Sequence, residues 1–444
     1  MTNAINLTRV TTALATGALT AMIALAPVAH AQDRDYSTHH ELGLMQGFPP
    51  TADKQVDKSN ALFGVPHNRW SYQNMNTLFP SASISNAQYP VDLVRAVDGG
   101  IERLDVARED GSKVEFDTYL KETFTDSLVV IQGDKVVFER YLNGMNANQP
   151  HQMMSVTKSF AGLFGLMAAH EGLVDENDPV TKYVPELAES GAFGQATFKH
   201  ALDMTASMDF SEDYADPNSG ISAYAKVLGL VEATEEERVA ETIYEFLPMM
   251  QKDSAHENGE IFHYQTPKTD VVNWVTNRAT GESFQNNLQD KLWSKLGTDG
   301  ETYVLLDRNG TLFAGGGLNA TPNDLARFAT MMLNDGEFNG QQVVAPEVIQ
   351  ELADGGSIEA FTNGTESKGV MGGNDWSYRA QWWVRHTPGH EAFSAIGVNG
   401  QWIYIDVERD IAIVKQSSQP ESSTNYFDEY NINAFDQIIG HLTK

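Results

Sequence analysis

The 444-residue chain contains no cysteine. That absence excludes a disulfide-stapled fold and any thiolate acting as nucleophile or metal ligand. Positive charge is also scarce: 30 Lys and Arg face 60 Asp and Glu, for a net charge of −30. A surface of that sign repels a phosphate backbone, so nucleic-acid binding is not expected. Acidity of this size favours solubility and says nothing about fold. There is no H-E-x-x-H, and His170-Glu171 and His390-Glu391 are isolated pairs, so no metal ligands are assigned. There is no G-x-S-x-G either, so an α/β-hydrolase with a Ser-His-Asp triad has no support. Beyond the first thirty residues no apolar run is long enough to span a bilayer, so no stable membrane insertion is expected.

The N-terminus does hold one apolar segment. Arg9 is the single charge of a short leading region, residues 10–28 are mostly small and apolar, and Ala29-His30-Ala31 fits an A-x-A cleavage site. These features read as a secretory signal peptide, cut after Ala31, and imply a secreted or periplasmic protein. The alternative is a retained transmembrane helix, but Thr11, Thr12, Thr16, Thr20 and Pro27 dilute the run. About 410 residues remain, enough for one large two-lobed unit or two domains.

Residues 32–115 are loop-rich and read as an extended N-terminal arm, anchored near Asn68-Arg69-Trp70 and Leu78-Phe79-Pro80. Leu128-Val129-Val130-Ile131, a Gly133-Asp134 turn and a second strand at 135–141 predict a hairpin. An apolar helix follows, stopped at Glu171-Gly172 and buried on most of its circumference. Residues 173–299 read as mostly helical, with helices at 197–204, 239–250, 269–279 and 284–296. Strands return after 300. Thr321-Pro322-Asn323-Asp324 is a helix start. Residues 378–385 read as one strand, 400–407 and 410–416 as a hairpin, and 427–442 as a closing helix. The expected fold class is α+β: an antiparallel sheet flanked by helices, built from residues 116–172 and 300–444, with an all-helical lobe at 173–299 inserted. The triplet Gly315-Gly316-Gly317 lacks the spacing of a phosphate loop, and no cofactor is expected.

Three stretches carry chemistry. Ser155-Val156-Thr157-Lys158 opens the buried helix, and residues three apart share a helix face. A desolvated Lys158 amine has a lowered pKa and can take the Ser155 proton. S-x-x-K is short, and about one chance match is expected in a chain of this composition. Read alone, Ser155 as a helix cap and Lys158 as a surface lysine explains it equally well. In Phe262-His263-Tyr264-Gln265-Thr266, Tyr264 is a candidate proton carrier and Thr266 a substrate-facing hydroxyl; packing of the aromatic ring is the plainer alternative. In residues 394–401, Gly397 lets a backbone approach a ligand closely, and an N–H there with that of Ser155 would form an oxyanion hole. An ordinary turn explains the same glycine.

Taken together, Ser155-x-x-Lys158, Tyr264-x-Thr266 and the late-strand Gly397 resemble the serine β-lactamase and penicillin-binding-protein superfamily. The resemblance is to the class C-like branch that includes family VIII carboxylesterases and 6-aminohexanoate-dimer hydrolases. Asp213-Tyr214-x-Asp216-Pro217, Thr269-Asp270, Ala314-Gly315-Gly316, residues 324–328, Trp382-Trp383 and Gly400-Gln401 extend it over residues 120–440. It implies a β-lactamase-like fold and an exported serine hydrolase that cleaves an ester or amide of a small molecule through an acyl-enzyme. Ser155 would be the nucleophile, Lys158 and Tyr264 the acid/base pair, and the N–H groups of Ser155 and Val398 the oxyanion hole. Thr266, Tyr214, Asp216, Trp383, Gly397 and Asn399 are candidate substrate contacts. Thr266 stands where the family often has Asn, and Ala395 where it often has Lys or His, so no cation meets a substrate carboxylate there. The rival readings are a β-lactamase or D,D-peptidase acting on wall peptides, and a non-catalytic binding module on the same fold. Oligomeric state is not legible.

Overall fold

Alternation of side chains explains the centre of the molecule. In Thr125–Gln132 (β2), Leu128 and Val130 belong to one apolar core, while Val129 and Ile131 belong to another. Both faces of the strand are thus buried, which is why it reads as an unbroken apolar run. The computed structural model describes residues 34–444; the leader read at 1–31 lies outside the described residues. Tyr36–Lys444 holds together as one compact unit.

Around β2 runs an eight-stranded sheet. Its members are Val94–Arg95 (β1), β2, Lys135–Tyr141 (β3), Trp376–Arg379 (β4), Trp382–Arg385 (β5), Ala392–Gly397 (β6), Gln401–Asp406 (β7) and Ile411–Ser417 (β8). The spatial order is β4-β5-β6-β7-β8-β2-β3-β1. All pairs are antiparallel except the short β1, which runs parallel to β3. Both ends of the chain therefore build the sheet, as the sequence suggests. The helices that bear on the site are Val156–His170 (α1), Gly220–Leu228 (α2), Pro267–Thr280 (α3), Pro322–Leu333 (α4) and Asn425–Leu442 (α5); Pro346–Asp354 and several shorter ones complete the set among the described residues. Helices α1 and α4 pack in the core that contains Val129 and Ile131; α5 closes the opposite core, with Phe435 against Trp402 and Tyr404 at 5.6 and 5.4 Å between ring centres. Thr321 caps α4 by accepting from the Asp324 N–H at 3.1 Å, with Pro322 in the first turn.

Several expectations are corrected. Residues 378–385 form a tight hairpin, β4 and β5, rather than one strand. Its turn residues Ala380 and Gln381 have φ of 47° and 67° without any glycine. Tertiary bonds hold them there: the Gln381 side chain donates to the carbonyls of Ala201 and Leu202 and accepts from Thr269 Oγ1. Helix α1 receives this turn at Gly162, where a Cβ would lie 1.9 Å from the Ala380 oxygen. The helix expected at 239–250 shrinks to Ile243–Phe246 and a 3-10 turn, Leu247–Met249, because Pro248 offers no N–H. The one expected at 284–296 becomes a short α-turn and a π-helical turn, Asn287–Trp293. Helix α2, with its Ser219 cap, was not anticipated.

The N-terminal arm is more than a strap. Ser81–Ile84 pairs with Thr302–Leu305 in a second, four-stranded sheet that also holds Leu318–Ala320 and His151–Gln152. The arm's Arg69 is buried. Its Nη1 bonds Asp126 Oδ1 at 3.0 Å, and Asp126 Oδ2 meets His151 Nε2 at 3.0 Å and Ser418 Oγ at 2.6 Å. Arg69 and its neighbours hold the Asp126 carboxyl below its ordinary range against the opposing effect of burial. Removing one partner of such a buried group leaves a charge uncompensated. Arg69→Met is expected to lower unfolding free energy by about 3–5 kcal/mol, read from urea denaturation.

Candidate active site

The small sheet delivers the chain to Ser155. Gln152 ends a two-residue strand, and the Met153 N–H donates to the Leu318 carbonyl at 2.8 Å. Met154 then takes φ of 49°, a left-handed conformation that costs a β-carbon-bearing residue about 1–3 kcal/mol. Thr157 Oγ1 fixes the turn by donating to the Met154 carbonyl at 2.7 Å while accepting from the Leu318 N–H at 2.9 Å. Ser155 sits at the N-cap position of α1, yet its hydroxyl makes no capping bond.

That hydroxyl faces Lys158 instead. Lys158 Nζ stands 2.9 Å from Ser155 Oγ and 2.5 Å from the Gly315 carbonyl oxygen. The lysine is 1% exposed, so it is neither a surface residue nor a partner of bulk water. Burial pulls its pKa down to about 8, against the upward pull of the Glu212 and Asp270 carboxylates. The amine also lies 5.2 Å from the centre of the Tyr264 ring. Burial pushes the Tyr264 phenol well up, only partly offset by its hydrogen bond with Ser155. At neutral pH Tyr264 is therefore a phenol, and the amine is the more readily neutralised base.

Gly397 ends β6 beside the Ser155 turn. A Cβ there would lie 2.5 Å from the Met153 oxygen and 3.1 Å from Met154 Cβ, so only glycine lets the strand sit this close. Val398, the next residue, lines the same cavity as Ser155, Lys158, Tyr214 and Thr266.

The remaining sequence candidates divide. Tyr214 lines the cavity, but its hydroxyl donates to Glu212 Oε1 at 2.9 Å. Thr266 was expected to offer its hydroxyl to substrate; it is occupied by Glu212, which also accepts from the Thr266 N–H at 3.0 Å. Trp383 stacks on Tyr264 at 5.5 Å and so supports that ring. Asp216 is exposed, outside the cavity lining, and accepts from the Asn218 N–H at 2.9 Å. Asn399 is buried and its amide nitrogen donates to the Gln419 carbonyl at 2.8 Å, bracing the turn after β6, while its Oδ1 has no partner among the described residues.

Sequence reasoning missed several residues here. Glu212 gathers Thr266 and Tyr214 and no motif marks it. Asp270 in the first turn of α3 accepts from Tyr224, and burial raises its pKa to about 7. Lys268 is fully buried, donating to the carbonyls of Met204 and His263 at 3.0 and 2.8 Å, which fixes the segment next to Tyr264. Leu62 and Phe63 of the arm join the cavity wall. Among the described residues no three His, Asp or Glu side chains gather as a metal site. None of their helices is long and apolar enough to cross a membrane.

A buried amine on a serine at a helix start, with a phenol above both, defines a serine hydrolase site of the S-x-x-K type. The chain belongs to the beta-lactamase family, whose model matches residues 116–436, and it is a serine hydrolase with the α+β, β-lactamase-like fold. It is 35% identical over 367 residues to the 6-aminohexanoate-dimer hydrolase of Paenarthrobacter ureafaciens, covering 82% of this chain and 88% of that protein. A solved Bacillus anthracis protein, provisionally assigned as a 6-aminohexanoate-dimer hydrolase, superimposes with a TM-score of 0.78 at 28% identity, over 88% of this chain and 98% of its own. A family VIII carboxylesterase shares the fold alone, with a TM-score of 0.53 at 15% identity over 72% of this chain and 96% of its own.

Two outcomes follow from this geometry. Gly397→Ala is expected to lower kcat/KM by about 100-fold with an unchanged circular-dichroism spectrum, because the displaced strand shifts the Ser155 turn. If the neutral Lys158 amine is the base, log kcat/KM for a neutral ester rises with pH below about 8 and levels off above it, since free-enzyme ionisations govern that parameter.

Proposed function

We propose that the protein cleaves an amide or ester bond of a small uncharged or weakly charged molecule through a Ser155 acyl-enzyme. One observation carries this reading: the buried Lys158 amine, with its lowered pKa, lies 2.9 Å from the Ser155 hydroxyl. Neutral Lys158 takes the Ser155 proton as Oγ attacks the carbonyl carbon. The N–H groups of Ser155 and Val398 receive the oxyanion, an arrangement whose single donors are worth about 10²–10³ in rate. The neutral Tyr264 phenol passes its proton to the leaving nitrogen or oxygen and recovers one from the Lys158 ammonium. Water then attacks the acyl-enzyme, with the same pair returning the protons. On this reading the cleft runs between a sheet part, residues 116–172 and 300–444, and a helical part, residues 173–299.

The printed names of the two relatives, 6-aminohexanoate-dimer hydrolases, support hydrolysis of a linear amide bond, and family VIII-type ester hydrolysis is chemically equivalent at Ser155. A β-lactamase or D,D-peptidase is the second reading. Ala395, fully buried in β6, disfavours it because no cation stands at that strand position for a substrate carboxylate. A binding module without turnover is disfavoured by the completeness of Ser155, Lys158 and Tyr264. We also read the protein as exported, with Gln32 as the mature N-terminus, on the leader pattern alone; it takes no nucleic-acid partner on the strength of its charge.

The test is a panel of a p-nitrophenyl ester, a linear amide and nitrocefin on wild type and Ser155→Ala. Ester or amide turnover that is lost in Ser155→Ala, with a fluorophosphonate adduct on Ser155 by mass spectrometry, is the expected result. Turnover that survives Ser155→Ala would overturn it.

A further inference from the structure

The cavity beside Ser155 is walled by two elements that do not belong to the reacting trio. Helix α2 contributes Ile221, Ala225 and Leu228. The arm contributes Leu62 and Phe63, from a part of the chain that precedes the family-matched residues 116–436. Phe63 is 38% exposed and leans on Tyr214 with ring centres 5.4 Å apart, so it closes the mouth and is not itself part of the deep core.

Apart from the reacting pair and one amide oxygen, the polar groups in the lining are already committed. Tyr214 and Thr266 bond Glu212, Tyr224 bonds Asp270, and Gln152 Nε2 donates to the Gly316 carbonyl at 2.7 Å. Gln152 Oε1 has no partner among the described residues. It is neutral: it can accept from an N–H but cannot offset a charge. Neither Glu212 nor Asp270 lines the cavity: Glu212 stands behind Thr266 and Tyr214, accepting from the Thr266 N–H, the Thr266 hydroxyl and the Tyr214 hydroxyl, and Asp270 stands behind Tyr224. An ammonium entering here would lose its water, meet no carboxylate in the lining and stand in the same cavity as the Lys158 amine, which is strongly unfavourable. An alkyl or aryl group would gain by burial.

We propose that Leu62 and Phe63 of the arm and the facing side of α2 form a subsite for an uncharged, apolar acyl group of the substrate, with Phe63 setting its chain-length preference. The inference rests on the acyl-enzyme reading above, because Ser155 and Val398 stand in the same lining and the group esterified to Ser155 therefore lies in this cavity. It sets this protein apart from an enzyme built for an acyl chain ending in an ammonium.

Two substrate pairs test it. Acetyl against hexanoyl p-nitrophenyl esters vary length, and hexanoyl against 6-aminohexanoyl p-nitroanilides vary only the terminal charge. The expected result is a kcat/KM for the hexanoyl ester at least about tenfold above the acetyl ester. The neutral anilide is expected to exceed the 6-aminohexanoyl one by at least about 100-fold. In Phe63→Asp the hexanoyl-to-acetyl ratio falls toward one, a ratio that is insensitive to how much of the variant folds. Equal or better turnover of the 6-aminohexanoyl anilide, or an unchanged ratio in Phe63→Asp, would overturn the subsite while leaving the hydrolase reading intact. Absence of both turnover and fluorophosphonate labelling at Ser155 in wild type would overturn the hydrolase reading, and the subsite with it.

Discussion

The site depends on keeping one amine away from water. An ammonium taken into a protein interior loses hydration worth several kcal/mol and relieves the strain by giving up its proton. At Lys158 that tendency is set against two carboxylates, Glu212 and Asp270, and against the polarity of the Gly315 carbonyl, and the balance falls near pH 8. Bring more solvent to the amine and it becomes an ordinary lysinium; remove the carboxylates and its pKa falls further. The proposed chemistry needs both forms, one to receive the serine proton and one to return it.

Much of the surrounding architecture follows from that requirement. Helix α1 is buried from Val156 to Ala168, so its N-terminal turn comes with no solvent side. Gly162 admits the Ala380-Gln381 turn on one flank. Gly165 admits Val272 of α3 together with Phe198 and Leu202, with Cβ contacts of 3.1–3.2 Å if one were added. Helix α3 carries Asp270 and, just before it, Tyr264. The second sheet sets Gln152 and the left-handed Met154, and β6 closes the remaining side with a glycine. The arm, tied in by Arg69 and Asp126, supplies the mouth. Elements from four distant parts of the chain thus meet at one hydroxyl.

The legible parts of this arrangement were those encoded locally. Two β-rich runs with Gly133-Asp134 between them marked β2 and β3, and Thr321-Pro322 marked α4. Ser155 and Lys158 were legible as a pair because one helical turn separates them. Their meaning was not, since capping and surface exposure fit the same letters; burial decided between these. The β4–β5 turn escaped because Ala380 and Gln381 carry no turn signature and are held by bonds to residues nearly 180 positions earlier. Strands of two to four residues in the arm are too short for any period to register. Thr266 reads as facing substrate from its place in the motif, yet its hydroxyl is bonded to Glu212, a partner that only the folded chain brings near. Glu212, Leu62 and Phe63 were silent for the same reason.

The central claim is that the Lys158 amine titrates close to neutrality. Nuclear magnetic resonance of protein carrying ¹³Cε-labelled lysine, with Lys158→Met to assign the signal, measures that ionisation directly and without any substrate. A Lys158 resonance that titrates with a midpoint near pH 8 is the expected result. A midpoint at or above the ordinary lysine value of about 10.4 would contradict it, because a permanently charged amine cannot accept the Ser155 proton.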